Sequence, residues 1–175
     1  MHKPSSEVSG WSDRMVTELT MLLGLTTLMP YLAHILPAWD DSPLGARLLP
    51  IFFAPLVAVF SDRPKVSMAL AFIAPWANHI LLGMPSLSVA TILTFELFLF
   101  TVILQLMLAY FKKASWMGPA AYFLVKPFSA LLLWILPLVP ASPITFIVDS
   151  ISTAWPGILL LGLIGYICNL YSNSR

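Results

Sequence analysis

Charge is what this chain has least of. Only 10% of its 175 residues are Asp, Glu, Lys or Arg, against 59% hydrophobic, where a soluble domain carries about a quarter charged residues. With a mean hydropathy of +0.88, the chain reads as a polytopic membrane protein whose interior is a helix bundle. Nine basic against eight acidic residues leave a formal charge of +1, which gives no footprint for nucleic acid. Cysteine is nearly absent too. The single Cys168 excludes an intramolecular disulfide and a paired-thiolate metal site. His34 and His79 lack partners at ligand spacing, so no metal and no cofactor is expected. There is no Walker A sequence, no Gly-x-Ser-x-Gly and no Ser–His–Asp context. His79 with Glu96 is the only pair an intramembrane enzyme could use, and the chain is not expected to be one. Residues 1–15 read as a polar N-terminal segment, and Met1 to Asp13 lacks the apolar stretch of a cleavable signal.

Long apolar runs are what the chain has instead. A membrane helix needs about 20 such residues. Six stretches qualify: Val16 to Trp39, Leu48 to Phe60, Val66 to Leu82, Leu87 to Phe111, Ala120 to Val139 and Ile144 to Tyr171. The second is short and carries Pro50 and Pro55, so it crosses only if tilted, locally thinned or extended. The sixth is expected to break at Trp155-Pro156-Gly157. The reading is an all-α integral membrane protein with a six-helix transmembrane domain over 16–171 and a tail over 172–175.

Basic residues set the orientation. With the N-terminus inside, Lys3, Arg14, Arg63, Lys65, Lys112, Lys113 and Arg175 are cytoplasmic, and only Arg47 is outside. Both termini are then cytoplasmic, in a bacterial plasma membrane. Gly83–Ser86, Asp40–Arg47 and Pro140–Pro143 face outward. At about 1.5 Å per residue, His79 lies roughly 6 Å, Asp149 roughly 8 Å and Glu96 roughly 12 Å below the outer ends of their helices. Lys126, about 9 Å from the cytoplasmic end, is expected to snorkel to that surface.

Glu96 is the leading candidate, because an acid inside a membrane helix costs roughly 3 kcal/mol unless it faces protein or water. Asn78, His79, Trp76 and Asp149 are expected near it in the outer half, with Glu96 binding ligand and Trp76 offering a stacking face. Trp155 is a further stacking candidate. For each there is a blander reading: Asn78 bonding between helices, His79 capping a helix end, Asp149 favoured by a helix dipole, the tryptophans forming an interfacial belt.

Several stretches resemble the substrate-binding S components of energy-coupling factor (ECF) vitamin transporters. The run Arg47-Leu-Leu-Pro-Ile-Phe-Phe-Ala-Pro-Leu-Val-Ala58 is similar to that family's second helix. The charged turn Asp62-Arg63-Pro64-Lys65 follows, then Ala74-Pro75 through Gly83-Met84-Pro85, then Phe95-Glu96-Leu97. Trp155-Pro156-Gly157-Ile158-Leu159-Leu160 resembles the family's Pro-Gly-Ile segment. The likeness covers about Arg47 to Leu163. It implies a six-helix protein that captures a vitamin or vitamin precursor and works with a transmembrane coupling protein and cytoplasmic ATPases. The family's Ala-xxx-Ala docking pair is missing from the first helix. Ala54 and Ala58 on the second are the only such pair, and the resemblance makes them the docking surface. The competing reading is a structural membrane scaffold of the cell-shape type, which should lack a polar pocket.

The orientation can be tested directly. In a Cys168→Ser background, single cysteines at Ser42, Ser86 and Ser142 should react with an impermeant maleimide on whole cells. One at Ser115 should not. Labelling confined to Ser115 would invert the orientation.

Overall fold

The computed structural model describes residues 12–35 and 47–173. Most of the expected N-terminal segment, the end of the first expected stretch (residues 36–39), the expected Asp40–Arg47 loop except Arg47, and residues 174–175 lie outside the described residues.

The chain is all-α. Helix α1 spans Asp13–Ile35. A 3-10 turn, Pro50–Phe52, runs directly into α2, Phe53–Phe60. Then come α3, Pro64–Leu82, and α4, Leu87–Tyr110. Helices α5, Met117–Ile135, and α6, Pro143–Asn173, complete the bundle. Five of these helices are long and apolar enough to cross a membrane. The protein is therefore a multi-pass membrane protein. Large apolar side chains such as Phe72, Phe128, Leu131 and Ile144 are exposed on the bundle surface, where lipid rather than water is their natural solvent.

The helix ends follow local chemistry. Pro64 and Pro143 open α3 and α6 at positions where a missing N–H costs nothing. Ser142 Oγ accepts the Thr145 N–H at 3.2 Å, a side-chain cap for α6. Gly83 ends α3 with φ 69°, the left-handed conformation that glycine adopts without strain. Its N–H bonds the His79 carbonyl, and α4 starts four residues later. Helices α3 and α4 are thus antiparallel neighbours, as expected.

Two expectations change. The second stretch does not form a full span: Pro50 to Phe60 is eleven residues, about 17 Å, roughly half of a 30 Å hydrocarbon core. It begins after Leu49, a non-glycine residue at φ 53°, a conformation that costs roughly 1–2 kcal/mol. Non-helical backbone at membrane depth is tolerated where protein covers it, and here α1, α3, α4 and α6 surround the segment. Ala54, Pro55, Leu56, Ala58, Val59 and Phe60 are all buried, so this short helix is apolar on every side, like a post inside the bundle. The second change is at Pro156. Helix α6 runs through it without a break for 31 residues, because neighbouring groups in a membrane bundle can re-satisfy the carbonyl that a proline frees.

The core is centred on the post. Phe52 meets Phe100 and Tyr122 edge-on at 5.2 and 5.5 Å between ring centroids. Leu56, Leu97, Leu104, Met117 and Leu161 close around them. Gly157 of α6 allows the chain leading into the post to lie directly against that helix. A Cβ there would sit 2.6 Å from the Leu48 carbonyl carbon and 2.7 Å from the Arg47 carbonyl oxygen.

Polar ties hold the end of the bundle that carries the α2–α3 and α4–α5 turns. Lys113 Nζ donates to the Phe60 carbonyl at 2.9 Å, to Asp62 Oδ2 at 3.0 Å and to Ser172 Oγ at 3.3 Å. A cation at the C-terminus of α2 also complements its dipole. Glu18 of α1 pairs with Arg63 at 3.1 Å and with Arg14 at 3.0 Å.

Gly157→Ala should lower the melting temperature in detergent, by the equivalent of about 1–3 kcal/mol for overpacking against unyielding backbone. Gly162→Ala, whose Cβ would meet nothing closer than 3.5 Å, should not. Equal melting of the two variants would remove the close approach as a determinant of the fold.

Candidate functional site

Helices α1, α3, α4, α5 and α6 diverge at the end of the bundle that carries the α3–α4 and α5–α6 turns. They leave a cavity of about 920 Å³, within the usual range of small-molecule sites. Its lining is mainly apolar. Tyr31, Leu81, Met84 and Ser86 lie toward the mouth, and the 3-10 turn at Leu49–Phe52 forms part of the wall.

The base holds two charges. Lys126 Nζ donates to Glu96 Oε1 at 2.8 Å, and each side chain is only 4% exposed. Either charge alone would be untenable at this depth, whereas together they satisfy one another. The ammonium also lies 4.5 Å from the Tyr122 ring centroid and 5.6 Å from that of Phe146, where ring quadrupoles attract a desolvated cation.

This overturns the expectation that Lys126 snorkels to the cytoplasmic surface. Helix α5 spans Met117–Ile135, which puts Lys126 nine residues from either end, about 13.5 Å. That is too deep for the side chain to reach water along its own helix. Glu96 stands nine residues in from Leu87 on α4, the same depth of about 13.5 Å. Because the two helices are antiparallel, counting both from the shared end puts the charges level. With the sequence bounds, Ala120 to Val139, the same count leaves Lys126 13 residues from the shared end, and the charges come level only because α5 starts at Met117 and ends at Ile135.

The other candidates separate into those at the cavity and those away from it. Asn78 lines the cavity, and its Nδ2 donates to the Thr26 carbonyl of α1 at 3.1 Å. The reason is four residues further along α1. Pro30 has no N–H to give the Thr26 carbonyl, and Asn78 supplies the missing donor. This bond fixes which way the amide faces. Its Oδ1 is buried without a hydrogen-bond partner. Asp149 lines the cavity from an exposed position on α6.

His79, Trp76 and Trp155 are not among the lining residues. His79 Nδ1 lies 2.7 Å from the Pro85 carbonyl and clamps the α3–α4 turn. Trp76 is half-buried on α3. Trp155 is 60% exposed on the bundle surface. The aromatic faces at the base come instead from Phe52, Tyr122 and Phe146, which periodicity alone could not single out from the other apolar positions. Among the described residues there is no cluster of three metal-ligating side chains.

Ala54 and Ala58 require a correction. They are 0% and 1% exposed, packed with Val66 and Leu70 of α3 against Met15, Leu19, Leu22 and Leu23 of α1. The small residues let helices of the same chain approach, so they are not a surface that a partner can reach in this fold. No protein-family model, curated protein or solved structure matches this chain.

A double-mutant cycle measures the buried pair. Glu96→Gln and Lys126→Met should each destabilise the detergent-solubilised protein by about 3–5 kcal/mol, since each leaves its partner uncompensated. The double variant should lose less than the sum. Additive effects would show that the two charges do not interact.

Proposed function

We propose that this chain is a membrane-embedded solute-binding subunit that captures a small vitamin-like molecule for uptake. The observation that carries the reading is the cavity at one end of the bundle with a buried, mutually neutralising ion pair at its base. A chain whose only task was to pack against other proteins would gain little from such a void. Charged groups inside a membrane bundle are costly and mark ligand or ion sites. Apolar walls with a few convergent polar groups are the usual form of a ligand pocket.

The basic-residue bias supports an outward-facing mouth, with Lys113 and its partners on the cytoplasmic side. The similarity in order and spacing to the S components of ECF transporters supports a division of labour. This chain binds the solute in the plasma membrane, and a transmembrane coupling protein with cytoplasmic ATPases supplies the energy. Since Ala54 and Ala58 are internal, the coupling partner meets some other face.

Native mass spectrometry of protein purified in mild detergent should detect a bound small molecule released on activation. With that compound, calorimetry on Glu96→Asp, which keeps the charge but withdraws it by one methylene, should show affinity reduced about tenfold, or roughly 1.4 kcal/mol. Folded protein that carries no small molecule would overturn the reading in favour of a structural scaffold.

A further inference from the structure

The polar groups of the cavity also define the chemistry of its occupant, an argument that rests on the solute-binding reading above. The lining contains three charged side chains among the described residues: Glu96, Lys126 and Asp149. Glu96 and Lys126 cancel each other at the base. Asp149 is exposed and adds a negative charge nearer the mouth. A carboxylate or phosphate ligand would pass this acid and then sit beside a lysine that is already paired. An ammonium ligand would meet a glutamate that is already paired. In either case one charge stays uncompensated among apolar walls, which low-dielectric surroundings penalise heavily. A net-neutral ligand leaves the balance intact.

The pair is not saturated as a hydrogen-bonding group. An ammonium carries three donors and a carboxylate about four acceptor sites, and the bond between them uses one of each. A donor and an acceptor 2.8 Å apart complement a molecular edge that carries C=O beside N–H. Asn78 adds a third point. Its Nδ2 is committed to Thr26, its Oδ1 is buried without a partner, and it lines the cavity. A donor that reaches that oxygen, a ligand N–H or O–H or a water, would satisfy it. Phe146, half-buried in the lining, offers a ring edge or face to a flat π-surface, while Phe52 and Tyr122 lie in the core behind it.

We infer that the ligand is a net-neutral, planar heteroaromatic molecule with a carboxamide or lactam edge. Its carbonyl faces Lys126, and its N–H groups face Glu96 and Asn78.

Four matched probes test this by thermal shift on the purified full chain at pH 7. They are pyridine-3-carboxamide, pyridine-3-carboxylate, 3-(aminomethyl)pyridine and N,N-dimethylpyridine-3-carboxamide. The primary amide should raise the melting temperature. The anion, the cation and the dimethyl amide, which lacks a donor, should each need at least tenfold higher concentration for the same shift. In Glu96→Gln, where Lys126 is uncompensated, the carboxylate should overtake the amide. The inference is overturned if the anion, the cation or the dimethyl amide matches the primary amide on the native chain, or if no probe shifts it. If the molecule seen by native mass spectrometry is charged, the inference fails while the solute-binding reading stands. If no molecule is found and no probe acts, both fail together.

Discussion

A carboxylate and an ammonium can occupy the middle of a membrane bundle only when each is the other's solvent. That requirement organises this structure. It sets the register of α4 against α5, because Glu96 and Lys126 must come level at 2.8 Å. It places Tyr122 and Phe146 against the lysine, where their ring faces replace part of its lost hydration. It also explains why the two buried charges share the base of the cavity. Buried polar groups in an apolar medium must be satisfied by neighbours, so the place that tolerates them is also the place where a polar ligand can be met.

Backbone satisfaction is the second organising demand. Pro30, Pro75, Pro127 and Pro156 lie inside helices and each leaves a carbonyl without its intrahelical donor, with no water inside a bilayer to replace it. At Pro30 the solution is visible: Asn78 reaches across from α3 to the Thr26 carbonyl. A residue that reads as a ligand contact is therefore also a structural repair, and the repair fixes the acceptor that is left over. The half-length α2 obeys the same rule. Its irregular start at Leu49 is buried between the surrounding helices and the cavity it helps to wall, and Gly157 provides the room.

Much of the fold was legible in the sequence. Runs of apolar residues gave every long helix to within a few positions, because length and hydropathy are what a bilayer selects. Glu96 stood out for a purely energetic reason. The errors came from questions that composition cannot answer. Whether Lys126 belongs to the surface or the centre depends on where α5 begins, and a shift of three residues, from Ala120 to Met117, moved it inward. Whether Ala54 and Ala58 serve another protein or a neighbouring helix depends on tertiary placement, to which a small-residue spacing is blind. Pro156 did not break α6, since a bundle compensates for a proline that a lone helix could not. Trp76, His79 and Trp155 had suitable chemistry but are not among the lining residues, and helix rotation is only weakly encoded when lipid and protein are equally apolar.

The Lys113–Asp62 and Lys126–Glu96 ion pairs stand in different media. Asp62, which receives Lys113, has a side chain that is 81% exposed, whereas Glu96 and Lys126 are 4% exposed. Dissolved ions weaken exposed ion pairs and scarcely reach buried ones. Rising ionic strength therefore loosens one end of the molecule while leaving the charged base of the cavity untouched. Salt acts as a selective solvent for the Lys113 clasp, and the end and the middle of a single small bundle answer to different parts of the cell's chemistry.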